Sequence, residues 1–248
     1  NIKEEVGGVA LYDGGEGSRW LLASDTSAGR INVYDRANEG AFLGSFTVSA
    51  PTNSEAVGET IGEPGPLFAT HAALDKRFPH GLLLVTDEDG SNYKSVAMED
   101  IARALKLDIG GSAAADQSAS SKVTAVTALV ETTPAGSYGD AADDPAIWAH
   151  PTNPALSLVI ATDKKAGIYV YDMQGKVVQF LPDGKMNNVD LREGFDLDGK
   201  KIVLVTASNR TDKSIAIYRL DPELRQLIDI ADGVQPTGLG DPYGLCMY

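Results

Sequence analysis

The chain of 248 residues is 43% hydrophobic and 23% charged, an ordinary globular composition with enough apolar material for a substantial core. Its net charge of −14 argues against nucleic acid or an anionic membrane as partner and suits a protein that gathers divalent cations, although acidity alone most often serves solubility. No apolar run reaches the length of a membrane span, and a lone Cys246 excludes an intrachain disulfide.

Alternating apolar residues predict strands over 6–11, 20–24, 30–34 and 42–48, with turns at Gly14-Gly15 and Asn38-Glu39-Gly40. A loop rich in Gly, Pro and Glu is expected over 51–66. Residues 80–86 read as a buried strand entering the acidic turn Asp87-Glu88-Asp89-Gly90, and 98–107 as a short helix with Ile101, Ala102 and Leu105 on its apolar side. Residues 108–122 lack periodicity and bulk and read as a linker. Alternation resumes over 123–130, and strands separated by Pro and Gly continue to the last residue.

One pattern occurs three times: an apolar strand, a short polar turn, and an alternating strand with Tyr near its end. The copies begin at Leu21-Leu22-Ala23-Ser24-Asp25, Val159-Ile160-Ala161-Thr162-Asp163 and Val203-Leu204-Val205-Thr206-Ala207. The last two lie about 44 residues apart, the period of a four-stranded propeller blade. The turn of the second copy carries Lys164-Lys165, and that of the third carries Arg210. Equivalent turns of adjacent blades lie at one end of a propeller, so these cations are expected side by side. Lys supplies a compact charge and Arg a planar fork, a common means of gripping phosphate oxygens; two solvated turns are the plainer reading.

Asp143-Asp144-Pro145 closes a Pro- and Gly-containing stretch that follows Glu131. Hard cations such as Ca²⁺ take carboxylate oxygens from loops of this kind, although adjacent aspartates before Pro more commonly shape a turn. Asn188, Asp190 and Arg192 add amide, carboxylate and guanidinium groups on the intervening strand. His71, His80 and His150 have no Arg-His-Gly-x-Arg context, and the Gly-rich pieces match no phosphate loop or dinucleotide fingerprint.

Four segments, taken in order and spacing, resemble the β-propeller, calcium-dependent phytases. They are Asp143-Asp144-Pro145-Ala146-Ile147-Trp148, Thr162-Asp163-Lys164-Lys165-Ala166-Gly167, Lys185-Met186-Asn187-Asn188-Val189-Asp190-Leu191-Arg192 and Ala207-Ser208-Asn209-Arg210. Residues 1–107 resemble the C-terminal end of such a domain, through Gly7-Gly8-Val9-Ala10-Leu11-Tyr12, Tyr34-Asp35-Arg36 and the stretch from Asn92 to Ala102. Residues 123–248 resemble the N-terminal part of another, so the chain looks like the tail of one domain joined to the head of the next, with 108–122 between. The expected fold is all-β: about three blades of four antiparallel strands, with a homodimer completing a six-bladed ring. The strand over 123–130 is expected to pair with the preceding blade, in cis or in a partner chain.

The resemblance implies hydrolysis of phytate phosphomonoesters by water with calcium assistance. By position, Glu131, Asp143, Asp144 and Asp190 would serve calcium, and Lys164 and Arg210 would grip the scissile phosphate. Lys165, Asn188, Arg192 and Tyr248 would contact the rest of the substrate. Further carboxylates of the family's metal cluster lie beyond Tyr248, so the resemblance implies weak turnover for a single chain. It also implies phytate or inorganic phosphate as ligand, a second phytase domain in the full-length protein, and a secreted or periplasmic location with the signal segment outside this sequence. A non-catalytic phosphate-binding module and an interaction module unrelated to phosphate remain alternatives, since propellers host many functions.

Overall fold

The computed structural model describes residues 5–14, 19–109 and 123–247. They form two compact units, Asn1–Thr132 and Thr133–Tyr248. Each contains two sheets, which gives four sheets where the sequence pattern indicates about three blades. The turn linker expected over 108–122 falls largely outside the described residues.

In the first unit, β1 (Val6–Asp13), β2 (Arg19–Asp25), β3 (Arg30–Asp35) and β4 (Ala41–Ser49) make an antiparallel meander. β5 (Pro64–Thr70), β6 (Leu82–Asp87) and β7 (Asn92–Ala97) make a second, followed by helix α1 (Met98–Leu105). The helix buries Met98, Ile101 and Ala102 against a core containing Tyr12, Trp20, Leu22, Phe46 and Val126. Glu99 and Asp100 in its first turn and Arg103 in its last complement the helix dipole.

β8 (Thr124–Thr127) adds to the outer edge of β4 in parallel, and β9 (Val130–Glu131) adds to the outer edge of β7 in antiparallel. The expected pairing with the preceding blade is therefore made in cis. One short segment completes two different sheets.

The second unit repeats the plan. β10 (Ala142–Trp148), β11 (Leu158–Asp163), β12 (Gly167–Asp172) and β13 (Val177–Leu181) form one sheet. β14 (Met186–Leu197), β15 (Lys200–Asn209), β16 (Ser214–Asp221) and β17 (Gln226–Asp229) form the other, with β18 (Gln235–Pro236) also pairing with β16. Trp148, Ile160, Val170, Tyr171 and Tyr218 are almost fully buried, each large side chain contributing roughly 1.5–3 kcal/mol of transfer free energy.

The repeat count differs for a specific reason. β6–β7 is a fourth copy of the pattern, ending its first strand in Asp87 as the others end in Asp25, Asp163 and Asn209. Its turn is acidic and its second strand carries its tyrosine, Tyr93, near the start rather than near the end, so it escapes a search by residue type.

Hydrogen bonding confirms the equivalence of the four turns. The residue after each strand-end Asp or Asn donates its N–H to the carbonyl just before the first strand of the same sheet: Thr26 to Glu5, Glu88 to Glu63, Lys164 to Ala141 and Arg210 to Lys185. Each first strand also carries a register break near its start, spanning Gly7-Gly8, Gly65-Pro66, Asp143-Asp144 and Asn187-Asn188, and β14 has a second break further on. The paired aspartates and the basic turn residues occupy these slots in the second unit. In the first, the same slots hold Gly, Pro, Thr and Glu.

Candidate functional site

Lys164 and Lys165 are presented by a tight turn whose shape follows from its sequence. Asp163 Oδ1 accepts the Lys165 N–H at 2.9 Å, and the Ala166 N–H reaches the Asp163 carbonyl at 3.1 Å. A side chain at position 167 would bring its Cβ within 1.9 Å of the Leu181 carbonyl, so only glycine closes the turn. The next sheet uses the same device: Asn209 Oδ1 accepts the Thr211 N–H at 2.9 Å, and Arg210 sits between them.

These turns line one cavity of about 390 Å³, together with Lys185, Asp140 and Asp241. The sequence places Lys164, Lys165 and Arg210 side by side, and the structure brings them together. Lys185 joins them because its carbonyl anchors the Arg210 turn at the entrance to β14. Four cations face two carboxylates here, a local positive excess in a chain of net charge −14.

Both carboxylates are already engaged. Lys164 Nζ lies 2.5 Å from Asp140 Oδ1 and 3.8 Å from Asp143 Oδ1. Arg210 donates Nε to Asp241 Oδ1 and Nη2 to Asp241 Oδ2, each at 2.8 Å. Its guanidinium lies 4.9 Å from the centre of the Tyr243 ring, and Nη1 reaches Asn187 Oδ1 at 3.4 Å. The bidentate pairing holds the Arg210 guanidinium above its ordinary range and the Asp241 carboxyl below its own. Lys165 donates Nζ to the Tyr138 carbonyl.

Asp143 and Asp144 occupy the register break of β10 and lie behind this rim. Burial pushes the Asp143 carboxyl up to about 6, against the pull of Lys164 and with added repulsion from Asp140. Burial pushes Asp144 up to about 7; the Val189 N–H, donating to Oδ2 at 3.0 Å, pulls it down, and the charge on Asp143 raises it. Asn188 also hydrogen-bonds Asp144, so it supports that carboxylate rather than lining the cavity.

The remaining candidates have partners of their own. Asp190 accepts N–H bonds from Leu191 at 2.7 Å and from Met247 at 2.7 Å, and pairs with Arg192 at 3.0 Å. Its oxygens are committed to backbone and guanidinium donors, and Arg192 is turned toward Asp190 and away from the cavity lining. Glu131 belongs to the first unit, where it receives the Ser54 hydroxyl and lies 3.5 Å from the buried Lys94 ammonium. Tyr248 lies outside the described residues.

Among the described residues, no group of three or more His, Cys, Asp or Glu side chains stands ready for a metal ion. A partial fit exists nonetheless. Asp143 and Asp144 are adjacent oxygen donors whose negative charge is disfavoured by burial, the electrostatic deficit that a hard cation relieves.

Sequence reasoning misses Lys185, Asp140 and Asp241. Lys185 is detectable as the residue before a strand whose partner turn carries Arg210. Asp241 has no local signal, being 31 positions from Arg210.

Comparison with known proteins bears on the fold and the family. Similarity to solved structures shows the fold alone, at low identity. A putative 6-phosphogluconolactonase of Bacteroides uniformis ATCC 8492 superimposes with a TM-score of 0.54 at 14% identity, over 93% of this chain and 55% of that one. A structure of Sqt1 from Chaetomium thermophilum, bound to the N-terminus of ribosomal protein L10, gives 0.52 at 14% identity over 90% and 48%. Together with the blade-like meanders, they identify an all-β, propeller-type architecture. The 3-phytase of Bacillus subtilis (strain 168) is 45% identical over 127 residues, which are 50% of this chain and 33% of that protein. The chain thus matches about a third of that relative's length. The family described as Phytase matches residues 1–110 and again 94–248, and the chain belongs to the phytase family.

Proposed function

We propose that the second unit binds phosphate groups of phytate and supports phytase-type hydrolysis of its phosphomonoesters. The observation that carries this reading is the cavity in which Lys164, Lys165, Lys185 and Arg210 converge. Lys164 and Arg210 belong to equivalent turns of neighbouring sheets and can grip one phosphate from two sides. Lys165 and Lys185 remain for a neighbouring phosphate on the same ring. Strong electrostatic complementarity of this kind stabilises charge on the phosphoryl oxygens as it develops.

Asp143 and Asp144 would hold calcium in this reading. Bound there, the ion supplies Lewis acidity toward a phosphoryl oxygen and lowers the pKa of a coordinated water. The chain's own contribution is to fix the Asp144 carboxylate through Val189 and Asn188, and to fix Lys164 against Asp140 and Asp143. Two firm oxygen donors are few for calcium, which takes six to eight oxygen ligands. That shortage supports a second reading, a phosphate-binding accessory module that serves another phytase domain without rapid turnover of its own.

A homodimer and a secreted or periplasmic location are parts of the same proposal. Val9 and Leu11 on β1, at the edge of its sheet, leave an exposed apolar row that a second copy could cover. With four sheets per chain, two copies would bring eight rather than six. No helix among the described residues is long and apolar enough to cross a membrane.

The decisive assay is phosphate release from phytate by the purified chain, with and without calcium, beside direct binding of inorganic phosphate. Release that depends on calcium supports the enzyme, and binding without release supports the accessory module. Lys164→Ala and Arg210→Glu are expected to abolish binding while leaving the fold intact. Parent-like binding by both variants would place the site elsewhere.

A further inference from the structure

Arg210 is the best-oriented anion fork of the cavity, and a carboxylate of the same chain fills it. The two Asp241 contacts, both 2.8 Å, reproduce the bidentate geometry with which guanidinium grips a phosphate. This is a built arrangement. The segment carrying Asp241 is tied down on both sides: the Thr237 N–H and hydroxyl reach the Lys213 carbonyl, Ser208 donates its hydroxyl to the Tyr243 carbonyl at 3.0 Å, and the Met247 N–H reaches Asp190.

We infer that Asp241 is an intramolecular competitor for the phosphate-binding fork, a resident carboxylate that an incoming phosphate must displace from Arg210. The inference rests on the proposed phosphate reading and adds a residue that sets its affinity. A carboxylate beside an arginine can play either of two opposite parts. As an orienter it improves binding by holding the fork in place; as a competitor it weakens binding by occupying the fork.

Three features favour competition. Asp241 uses both fork nitrogens that a phosphate would use. Arg210 keeps other supports once the carboxylate leaves, namely the Tyr243 ring and Asn187 Oδ1. The Asp241 side chain is 53% exposed, so it can swing into water without leaving a buried charge behind. Asp140 bears the same relation to Lys164 and is 55% exposed. Among the described residues, Lys165 and Lys185 have no carboxylate within salt-bridge distance. An arriving phosphate meets those two first and then exchanges with the carboxylates. The same exchange run backwards expels inorganic phosphate, which would otherwise linger in a site of four cations.

The test is isothermal titration of inorganic phosphate into the whole chain in EDTA at low salt, for the parent, Asp241→Asn, Asp140→Asn and Asp241→Glu. Removing an exposed bidentate competitor is expected to tighten phosphate binding roughly two- to fivefold. Asp140→Asn shifts in the same direction, and Asp241→Glu, which keeps the charge, stays near the parent. Unchanged melting temperatures establish that the fold is intact. The Arg210 Nε–H signal in NMR should move on phosphate addition in the parent and already be displaced in Asp241→Asn. Phosphate binding by the parent with equal or weaker binding by Asp241→Asn makes Asp241 an orienter and overturns the inference, leaving the phosphate reading intact. Absence of binding in every variant overturns both.

Discussion

Lys94→Met tests the most heavily buried ionic cluster in the first unit. Lys94 is 3% exposed, and its ammonium lies 2.5 Å from Asp87 Oδ2, 2.9 Å from Asn92 Oδ1 and 3.5 Å from Glu131 Oε2. Methionine keeps the stem volume and removes the charge. The Asp87 side chain, 9% exposed, is then left as a buried carboxylate without its cation. Breaking a pair of this kind from one side costs about 3–5 kcal/mol, because the remaining ion keeps its desolvation penalty. For a unit of this size that is a fall of roughly 10–20 °C in melting temperature. Lys201→Met is the control: its pair with Asp196 is 67% and 53% exposed, and such pairs contribute less than about 1 kcal/mol. The two tryptophans separate the units, since Trp20 is buried in the first and Trp148 in the second. In a Trp148→Phe background, fluorescence in a urea titration follows the first unit alone. Adding Asp87→Asn to Lys94→Met is expected to recover most of the loss, as in a double-mutant cycle. A loss below about 1 kcal/mol for Lys94→Met, or no recovery in the double variant, would refute the assignment of this cluster as a buried structural pair.

Three further outcomes are expected. The Asp144 carboxyl lies at about 7 in the fold against an ordinary 3.8, so the chain takes up a proton on folding there. In EDTA, stability from this group is fully present below pH 4 and lost as pH rises through about 7, and Asp144→Asn raises the melting temperature at neutral pH while removing any stabilisation by calcium. An unchanged parent melting curve in EDTA and in millimolar-scale calcium rules out calcium at Asp143 and Asp144. Burial, with repulsion from Glu99, pushes the Tyr12 hydroxyl up to about 12. Stability linked to this group is intact below pH 10 and falls as pH rises through 12, so absorbance titration should show a late tyrosine that titrates with unfolding. Light scattering at micromolar concentration is expected to give twice 26.1 kDa, with Leu11→Lys reducing it to the monomer mass; a parent chain already at 26.1 kDa sinks the dimer.

What the sequence makes legible is what repeats. The apolar strands ending in Asp25, Asp163 and Asn209 announce the meanders, and the Lys164-Lys165 and Arg210 turns announce the cavity. The fourth meander stays hidden because its turn, Glu88-Asp89-Gly90, shares the anchoring backbone hydrogen bond with the others but carries acidic residues where two of them carry basic ones. Asp241 stays hidden because it reaches Arg210 through a long connection, which no periodicity encodes. Glu131 shows the same limit from the other side. The resemblance implies a metal ligand there; within its own unit the cation it meets is Lys94, brought to it by the pairing of β9 with β7. Identity of a side chain survives in sequence; identity of its counter-ion is decided by folding.

The segment 124–131 gives the chain a practical seam. Because β8 supplies an outer strand to one sheet and β9 to the other, a truncation at residue 107 strips both sheets of an edge and leaves Val48 and Ser95 without their strand partners. A cut between Thr132 and Thr133 leaves all nine strands of the first unit together with their helix. A gene dissected at the motif boundary should therefore yield two sticky halves, and one dissected a few residues later should yield two that can be purified and assayed apart. The unit that a protein engineer can move is longer at its end than the unit a motif search would outline.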